Sequence, residues 1–320
     1  LGVDVEFSVD GSGAIWGMAG SRAVFKLWQS AGAGDNDPTN DVFSVDLLDQ
    51  VDHLNNSGDD AVLTIDLTPA FQATDADGDF VDLNGSANDK KVIRLNIEND
   101  VPVLSGQTST KYVVEDELSA VLADGDLSTG NPDGGVGDSD NATFVYNDFL
   151  GVVTVGGDEP IKIDMNTVFS DGVREAGVNG ALVTSKGQAL TYVRVGAQTQ
   201  AVATDGRIVF TVSRTQDGGT PNDSTDDVYT VDLRDQIDHA SASGDNGTLS
   251  IDLAPLFIVT DFDGDRLDLN GPNNDLFPIQ LVVENDVPII ANALVAGTVD
   301  EDGVIEDSAA GTQTGDGIAG

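Results

Sequence analysis

Apolar and polar residues alternate in short runs along the chain. Phe43, Val45 and Leu47 alternate with Ser44 and Asp46; Leu63, Ile65 and Leu67 with Thr64 and Asp66; Ile93, Leu95 and Ile97 with Arg94 and Asn96. A period of two marks strands with one buried and one solvated face. The same runs return as Tyr229, Val231, Leu233, then Leu249, Ile251, Leu253, then Ile279, Leu281, Val283. Clusters of Asp, Asn and Gly between them supply turns and positive φ angles. The nearest helical candidate, Val173 to Ala176, is short and flanked by Gly172 and Gly177. The pattern predicts an all-β chain of tandem antiparallel β-sandwich domains.

The recurrence is a true internal repeat. Val42 to Val103 aligns without a gap on Val228 to Ile289, at an offset of about 186, with about 35 of 62 positions identical. The shared string runs V-x-x-V-D-L-x-D-Q-x-D-H, S-G-D, L-x-I-D-L-x-P-x-F, T-D-x-D-G-D, D-L-N-G, N-D and E-N-D-V-P. Upstream, Arg22, Val24 and Phe25 match Arg207, Val209 and Phe210 after one residue of slippage, and Val114-Glu115-Asp116-Glu117 returns as Val299-Asp300-Glu301-Asp302. The expected organisation is the back part of one repeat (1–104), a complete repeat (105–290) and the start of a third (291–320). The complete repeat has room for one large sandwich or two small ones. A start at Leu1 and a Gly-rich end read as a cut from something longer.

Composition narrows the function. The chain has 56 acidic residues against 14 basic, a formal charge of −42. Nucleic acids and anionic membranes repel such a surface, so neither is an expected partner. The 39% apolar content, arranged in patterned runs, argues against disorder. With no cysteine there is no disulfide, thiol nucleophile or thiolate zinc site, and two histidines leave little for zinc or base catalysis. No apolar run reaches the ~20 residues of a membrane span, and no signal peptide opens the chain.

The carboxylates gather in loops. Asp75, Asp77 and Asp79, followed by Asp82, recur as Asp261, Asp263 and Asp265, followed by Asp268. Carboxylates at i, i+2 and i+4 in a turning loop converge, and three like charges repel by about 1 kcal/mol per pair even at water's dielectric. Calcium relieves this, taking 6–8 oxygens at about 2.3–2.6 Å in irregular geometry. The plain alternative is a solvated Asp-Gly turn. Glu98-Asn99-Asp100 and Glu284-Asn285-Asp286 close the repeats, each before Val-Pro. Glu115 and Asp116, like Asp300 and Glu301, follow each junction. An ion held from both sides would tie neighbouring repeats together; the alternative is a linker kept soluble by charge.

Weaker candidates are Asp35 to Asp41 with its partner Asn222 to Asp227, then Asp124 and Asp126, and Asp133 through Asp138 to Asp140. Each also suits a polar turn. His53 and His239 share one repeat position and read as hydrogen-bonded turn residues, since no catalytic partner accompanies them. Trp16 and Trp28 stand where the approximate alignment gives Ala201 and Ser213, as packing residues or a local ligand patch.

Together, the Val-x-Glu-Asp opening, Asp-Gln-x-Asp-His, Thr-Asp-x-Asp-Gly-Asp and the E-N-D-V-P close resemble the tandem repeats of giant type-I-secreted repeats-in-toxin (RTX) adhesins of Gram-negative bacteria. The closing motif also resembles the calcium-binding linkers of cadherins. The resemblance implies immunoglobulin-like sandwiches with calcium as ligand; that no enzyme is expected follows from the residues, which offer no catalytic partner for His53 or His239. It implies secretion to the bacterial cell surface without a cleaved signal, and a monomer whose partners are neighbouring repeats and, through other modules, a host or biofilm surface ligand. By the cadherin analogy, Glu98, Asp100, Glu115 and Asp116 would be junction ligands, with Asp75, Asp77 and Asp79 reaching toward them. The G-G-x-G-x-D nonapeptide of this group is absent, and Thr143 to Ser185 has no counterpart in the chain. The expected function is a calcium-stabilised extender holding an adhesive module for attachment and biofilm formation; the alternative is a sugar- or peptide-binding module of such an adhesin. A glycosidase reading fails because the carboxylates sit in short repeated turns.

Overall fold

A computed structural model of the chain describes residues 2–32, 34, 38–53, 58–75, 77–83, 85, 91–118, 139–169, 172–177, 180–216, 224–240, 244, 247–271 and 276–288. The chain divides into two compact units, Leu1–Asp286 and Val287–Gly320, and every described strand lies in the first. Among the described residues the protein is all-β, with one α-helix of five residues, α1 (Tyr146–Leu150).

The first copy contributes β1 (Val5–Val9), β2 (Ile15–Ala19), β3 (Arg22–Ala31), β4 (Val42–Leu47), β5 (Val62–Asp66), β6 (Ala73–Thr74), β7 (Phe80–Val81) and β8 (Arg94–Glu98). Strands β1 to β4 form an antiparallel sheet in sequence order, β5 pairs with β8, and β6 with β7. The exit of the first copy forms β9 (Val103–Leu104), and the second copy contributes β10 (Ser109–Val114), β11 (Asn141–Val145), β12 (Val153–Thr154), β13 (Lys162–Met165), β14 (Thr184–Ser185) and β15 (Gln188–Val195). It continues with β16 (Gln198–Ala203), β17 (Ile208–Gln216), β18 (Val228–Leu233), β19 (Thr248–Asp252), β20 (Phe257–Thr260), β21 (Arg266–Leu267) and β22 (Ile279–Glu284).

Strands β15 to β18 repeat the β1 to β4 sheet and gain an outer strand on each side, in the order β11-β18-β17-β16-β15-β14. Strand β10 joins the β19–β22 pair in parallel, with Ser109 opposite Ile279 and Val114 opposite Glu284. That pairing departs from the expected purely antiparallel arrangement. The long stretch between the two strands supplies the crossover a parallel pair needs. Strand β13 joins β20, and the short β9–β12 pair joins the exit of the first copy to the second.

Register corrects one equivalence. Gly17 pairs with Phe25 and Ala201 with Phe210, so Trp16 shares its place with Gln200 rather than Ala201. The turn after β2 has two residues between Ala19 and Arg22, whereas that after β16 has three between Ala203 and Arg207, a difference that a gapless count misses. A β-bulge follows Gly17 and Ala201 alike.

Two hydrophobic cores form, one within residues 19–97 and one within 113–283. Tyr229 and Leu233 are 0% and 1% exposed, whereas their twins Phe43 and Leu47 are 51% and 50% exposed. The difference has a local cause. Phe149 on α1 packs edge-on against Tyr229 at 5.6 Å and Phe257 at 5.0 Å, and Phe144 on β11 joins them. Residues matching β11 and α1 are not part of the first copy's share of this chain, and among the described residues the ring contact of Phe43 is an edge-on one with Phe71 at 4.9 Å.

Candidate metal centre

The two D-x-D-G-D loops share one local fold. In the first, the Asp75 N–H donates to the Asp79 carbonyl at 2.8 Å; in the second, the Asp261 N–H donates to the Asp265 carbonyl at 3.1 Å. Asp75 Oδ1 accepts N–H groups from Gly78 and Asp79, and Asp261 Oδ1 accepts those of Gly264 and Asp265. The glycine permits the turn, with φ of 96° at Gly78 and 103° at Gly264.

Their surroundings differ. Asp75, Asp77 and Asp79 converge within 4.8 Å but stand exposed. Hydrogen bonds, first from Asp77, hold the Asp75 carboxyl below its ordinary range. The second loop is buried where the two copies meet. One oxygen from each of Asp158, Asp261 and Asp263 lies within 4.8 Å of the others, and all three residues are buried. Asp158 enters on the turn between β12 and β13, and its carbonyl accepts the Phe262 N–H at 3.0 Å.

The first copy closes this loop from the other side. The backbone N–H of His53 donates to Asp263 Oδ2 at 2.9 Å, Asn99 Nδ2 donates to Asp265 Oδ2 at 2.5 Å, and Asp100 Oδ2 accepts the Gly157 N–H at 2.5 Å. A side chain at Gly156 would collide with the Asp100 carboxylate. The seam therefore collects carboxylates from the first copy's closing motif and from two loops of the second.

Electrostatics make this cluster costly without a cation. Burial, aided by the charge of Asp263, pushes the Asp158 carboxyl up to about 6. Burial and the neighbouring Asp263 push Asp261 up to about 7. Asp261 Oδ2 and Asp263 Oδ1 are buried and accept no hydrogen bond. Buried carboxylate oxygens need hydrogen-bond donors or a metal. The donor set is all carboxylate oxygen, so these residues could hold a hard divalent cation.

A second group lies at the other end of the second copy. Because β10 runs parallel to β22, Glu115 arrives beside Asp286. Its Oε1 accepts the Ile237 N–H at 2.5 Å, its Oε2 accepts the Asp286 N–H at 3.4 Å, and His239 Nδ1 stands 3.8 Å from Oε2. Burial pushes Glu115 up to about 7. Asp116 is buried alongside, and Asp286 Oδ1 is buried without a hydrogen bond. Thus Glu115 meets Asp286, the twin of Asp100, and the expected grouping of Glu98 and Asp100 with Glu115 and Asp116 is not the one formed.

The remaining candidates separate cleanly. Asp82 and Asp268 are exposed turn residues, with Asp268 Oδ1 accepting the Asn270 N–H. Glu98 is exposed at the end of β8, and Glu284 ends β22 half-buried. Asn99 and Asn285 each donate to a glycine carbonyl, Gly58 and Gly244. Asp227 instead meets Arg214 and the Tyr229 hydroxyl, Asp41 accepts from Gln29, and Asp140 accepts from Asn141. Residues 35–37, 119–138, 222–223, 300 and 301, with their carboxylates, lie outside the described residues.

Each histidine places its two ring nitrogens beside backbone carbonyls, those of Val51 and Ile97 for His53 and those of Ile237 and Val283 for His239, with the tautomer deciding which carbonyl accepts. Asp158 is the ligand candidate the motifs missed. Its only signal is a Gly-Gly-Asp-Glu-Pro turn without a twin to flag it by repetition. No family model, curated protein or solved structure matches this chain. Among the described residues no helix is long and apolar enough to cross a membrane.

Proposed function

We propose that this chain is a run of calcium-stabilised, immunoglobulin-like β-sandwich repeats from a secreted bacterial adhesin, acting as an extender whose repeats are joined by ions. The observation that carries the reading is the buried seam cluster of Asp158, Asp261 and Asp263, closed by His53, Asn99 and Asp100 of the preceding copy. Burying like charges where two stretches of the chain meet is costly unless they are protonated, paired or bridged by a cation.

The repeat extends the reading. Asp100 and Asp286 are twins, as are Val51 and Ile237, and His53 and His239. Glu115 occupies the Ile237 N–H, whereas the Asp263 carboxylate occupies the His53 N–H. One complete junction then draws a Glu115-type ligand and an Asp286-type ligand from one repeat, and Asp158-, Asp261- and Asp263-type ligands from the next. The bound cation supplies charge neutralisation and oxygen coordination; the protein supplies the buried carboxylates and the hydrogen bonds that orient them.

Resemblance of the motifs supplies the adhesin setting. Coupled binding and folding explains how such a chain exploits calcium, because an ion bound only by the native state stabilises it by RT ln(1 + [Ca]/Kd). The test is a thermal melt in 1 mM calcium and in excess chelator. A loss of tens of degrees, or of the cooperative transition, is expected on chelation; an unchanged melt overturns the proposal.

A further inference from the structure

Strand alternation sends Gly17, Phe25 and Leu27 inward, with Phe25 and Leu27 in the first core. It sends Trp16, Lys26 and Trp28 to the opposite face, and neither tryptophan belongs to that core or packs against it. Lys26 stands opposite Trp16 in the β2–β3 register, and its Nζ lies 4.9 Å from the Trp16 ring centre and 5.2 Å from that of Trp28. Two half-buried indoles thus flank one lysine on a sheet face. The second copy has Gln200 and Ser213 in the same places, and its sheet forms without them. Packing does not account for the pair.

The platform is held in place. Trp16 Nε1 donates to Asp10 Oδ2 at 2.9 Å, while Asp10 Oδ1 accepts from Ser12 and Ala14. These bonds, Ser12 first, hold the Asp10 carboxyl well below its ordinary range, so the clamp persists across the working pH range. Hydroxyl and carboxylate groups border the rings: Ser8 opposite Trp16, Ser44 opposite Trp28, and Asp46 opposite Lys26. The Ser44 hydroxyl bonds that of Ser30 at 2.8 Å.

Chemistry selects the ligand. Flat aromatic faces attract C–H groups and cations, and the cation position is already filled by Lys26. Anionic ligands face a chain of charge −42. What remains suited to indole faces bordered by hydroxyls, a carboxylate and one ammonium donor is a neutral ligand with an apolar ring face and a hydroxyl-bearing rim. We propose that Trp16, Lys26 and Trp28 form a binding platform for neutral hexopyranose oligosaccharides, with sugar rings stacked on the indoles and hydroxyls met by Lys26, Asp46 and the serines. The site lies apart from the carboxylate seam and does not rest on the calcium reading.

Trp16 and Trp28 are the two tryptophans of the chain, so indole fluorescence reports on this site alone. The whole chain, in 1 mM calcium, is titrated with cellohexaose, chitohexaose, laminarihexaose and maltohexaose by tryptophan emission and by calorimetry. The expected result is saturable binding of at least one sugar. Affinity falls tenfold or more in Trp16→Gln and Trp28→Ser, which carry the second copy's residues, with the thermal melt unchanged. Absence of saturable binding up to about 10 mM of every sugar overturns the proposal, as does calorimetric binding undiminished in the double variant.

Discussion

The backbone N–H of His53 donates to Asp263 Oδ2 at 2.9 Å, joining residues 210 positions apart. The histidine ring nitrogens lie 3.2 Å from the carbonyls of Val51 and Ile97, and donation to one of them holds the residue to its own copy. The buried Asp261 Oδ2 and Asp263 Oδ1 beside it have no hydrogen-bond partner among the described residues, which is why the seam is where a cation is expected to act.

Neutralising one ligand will invert the response to calcium. Asp263→Asn removes a like charge from the cluster, so in chelator the variant is expected to be as stable as the parent or more so. In calcium it will be less stable, forfeiting about 2.7 kcal/mol if the parent site is filled at 100 times its Kd. Paired melts of the two proteins in both buffers check the crossover.

Acidity will act in opposite directions with and without the ion. Asp158, Asp261 and Glu115 are raised to about 6, 7 and 7, above their unfolded values. Each contributes stability that is fully present below its unfolded pKa and lost as pH rises through the folded one. In chelator, stability is therefore expected to increase from pH 8 to pH 5. In calcium the increase disappears or reverses, because protons then displace the ligand. Denaturant titrations across that range in each buffer measure the slope.

Twin substitutions in the cores will have unequal costs. Tyr229→Ala is expected to destabilise by about 3–5 kcal/mol, since it empties a closed aromatic cluster. Phe43→Ala, at the same repeat position but half-exposed, should cost about 1 kcal/mol or less. Equal effects in equilibrium unfolding would mean that the first copy's core is closed by something other than its described neighbours.

The exposed turn carboxylates serve as internal controls. Asp82→Ala and Asp268→Ala should each change stability by no more than about 0.5 kcal/mol in calcium. Asp158→Ala should abolish most of the calcium-dependent stabilisation. Calcium-dependent shifts in melting temperature for the three variants separate the motif as written in sequence from the ligands assembled in space.

Much of this was legible in the chain. The strand alternation at Phe43, Val45 and Leu47 placed β4 and its twin β18, and the repeat drew attention to Asp261, Asp263 and Asp265. Burial was not legible, because Asp75 and Asp261 sit in the same local turn and differ only in what lies over them. The parallel placement of β10 was hidden as well. It carries Glu115 to Asp286 at the far end of its own repeat, whereas nearness in sequence suggested Asp100. Asp158 comes from the stretch without an internal twin, where repetition gives no help. Trp16 was misaligned by one residue through a connection whose length only strand register reveals.

The central claim is that a cation belongs to the seam. The direct measurement is calorimetric calcium titration of the whole chain at pH 7.5 for the parent, Asp263→Asn and Asp75→Asn. The account predicts that the tightest site is present in the parent and in Asp75→Asn and lost in Asp263→Asn. Binding of equal tightness in Asp263→Asn, or no binding by the parent at millimolar calcium, would contradict it.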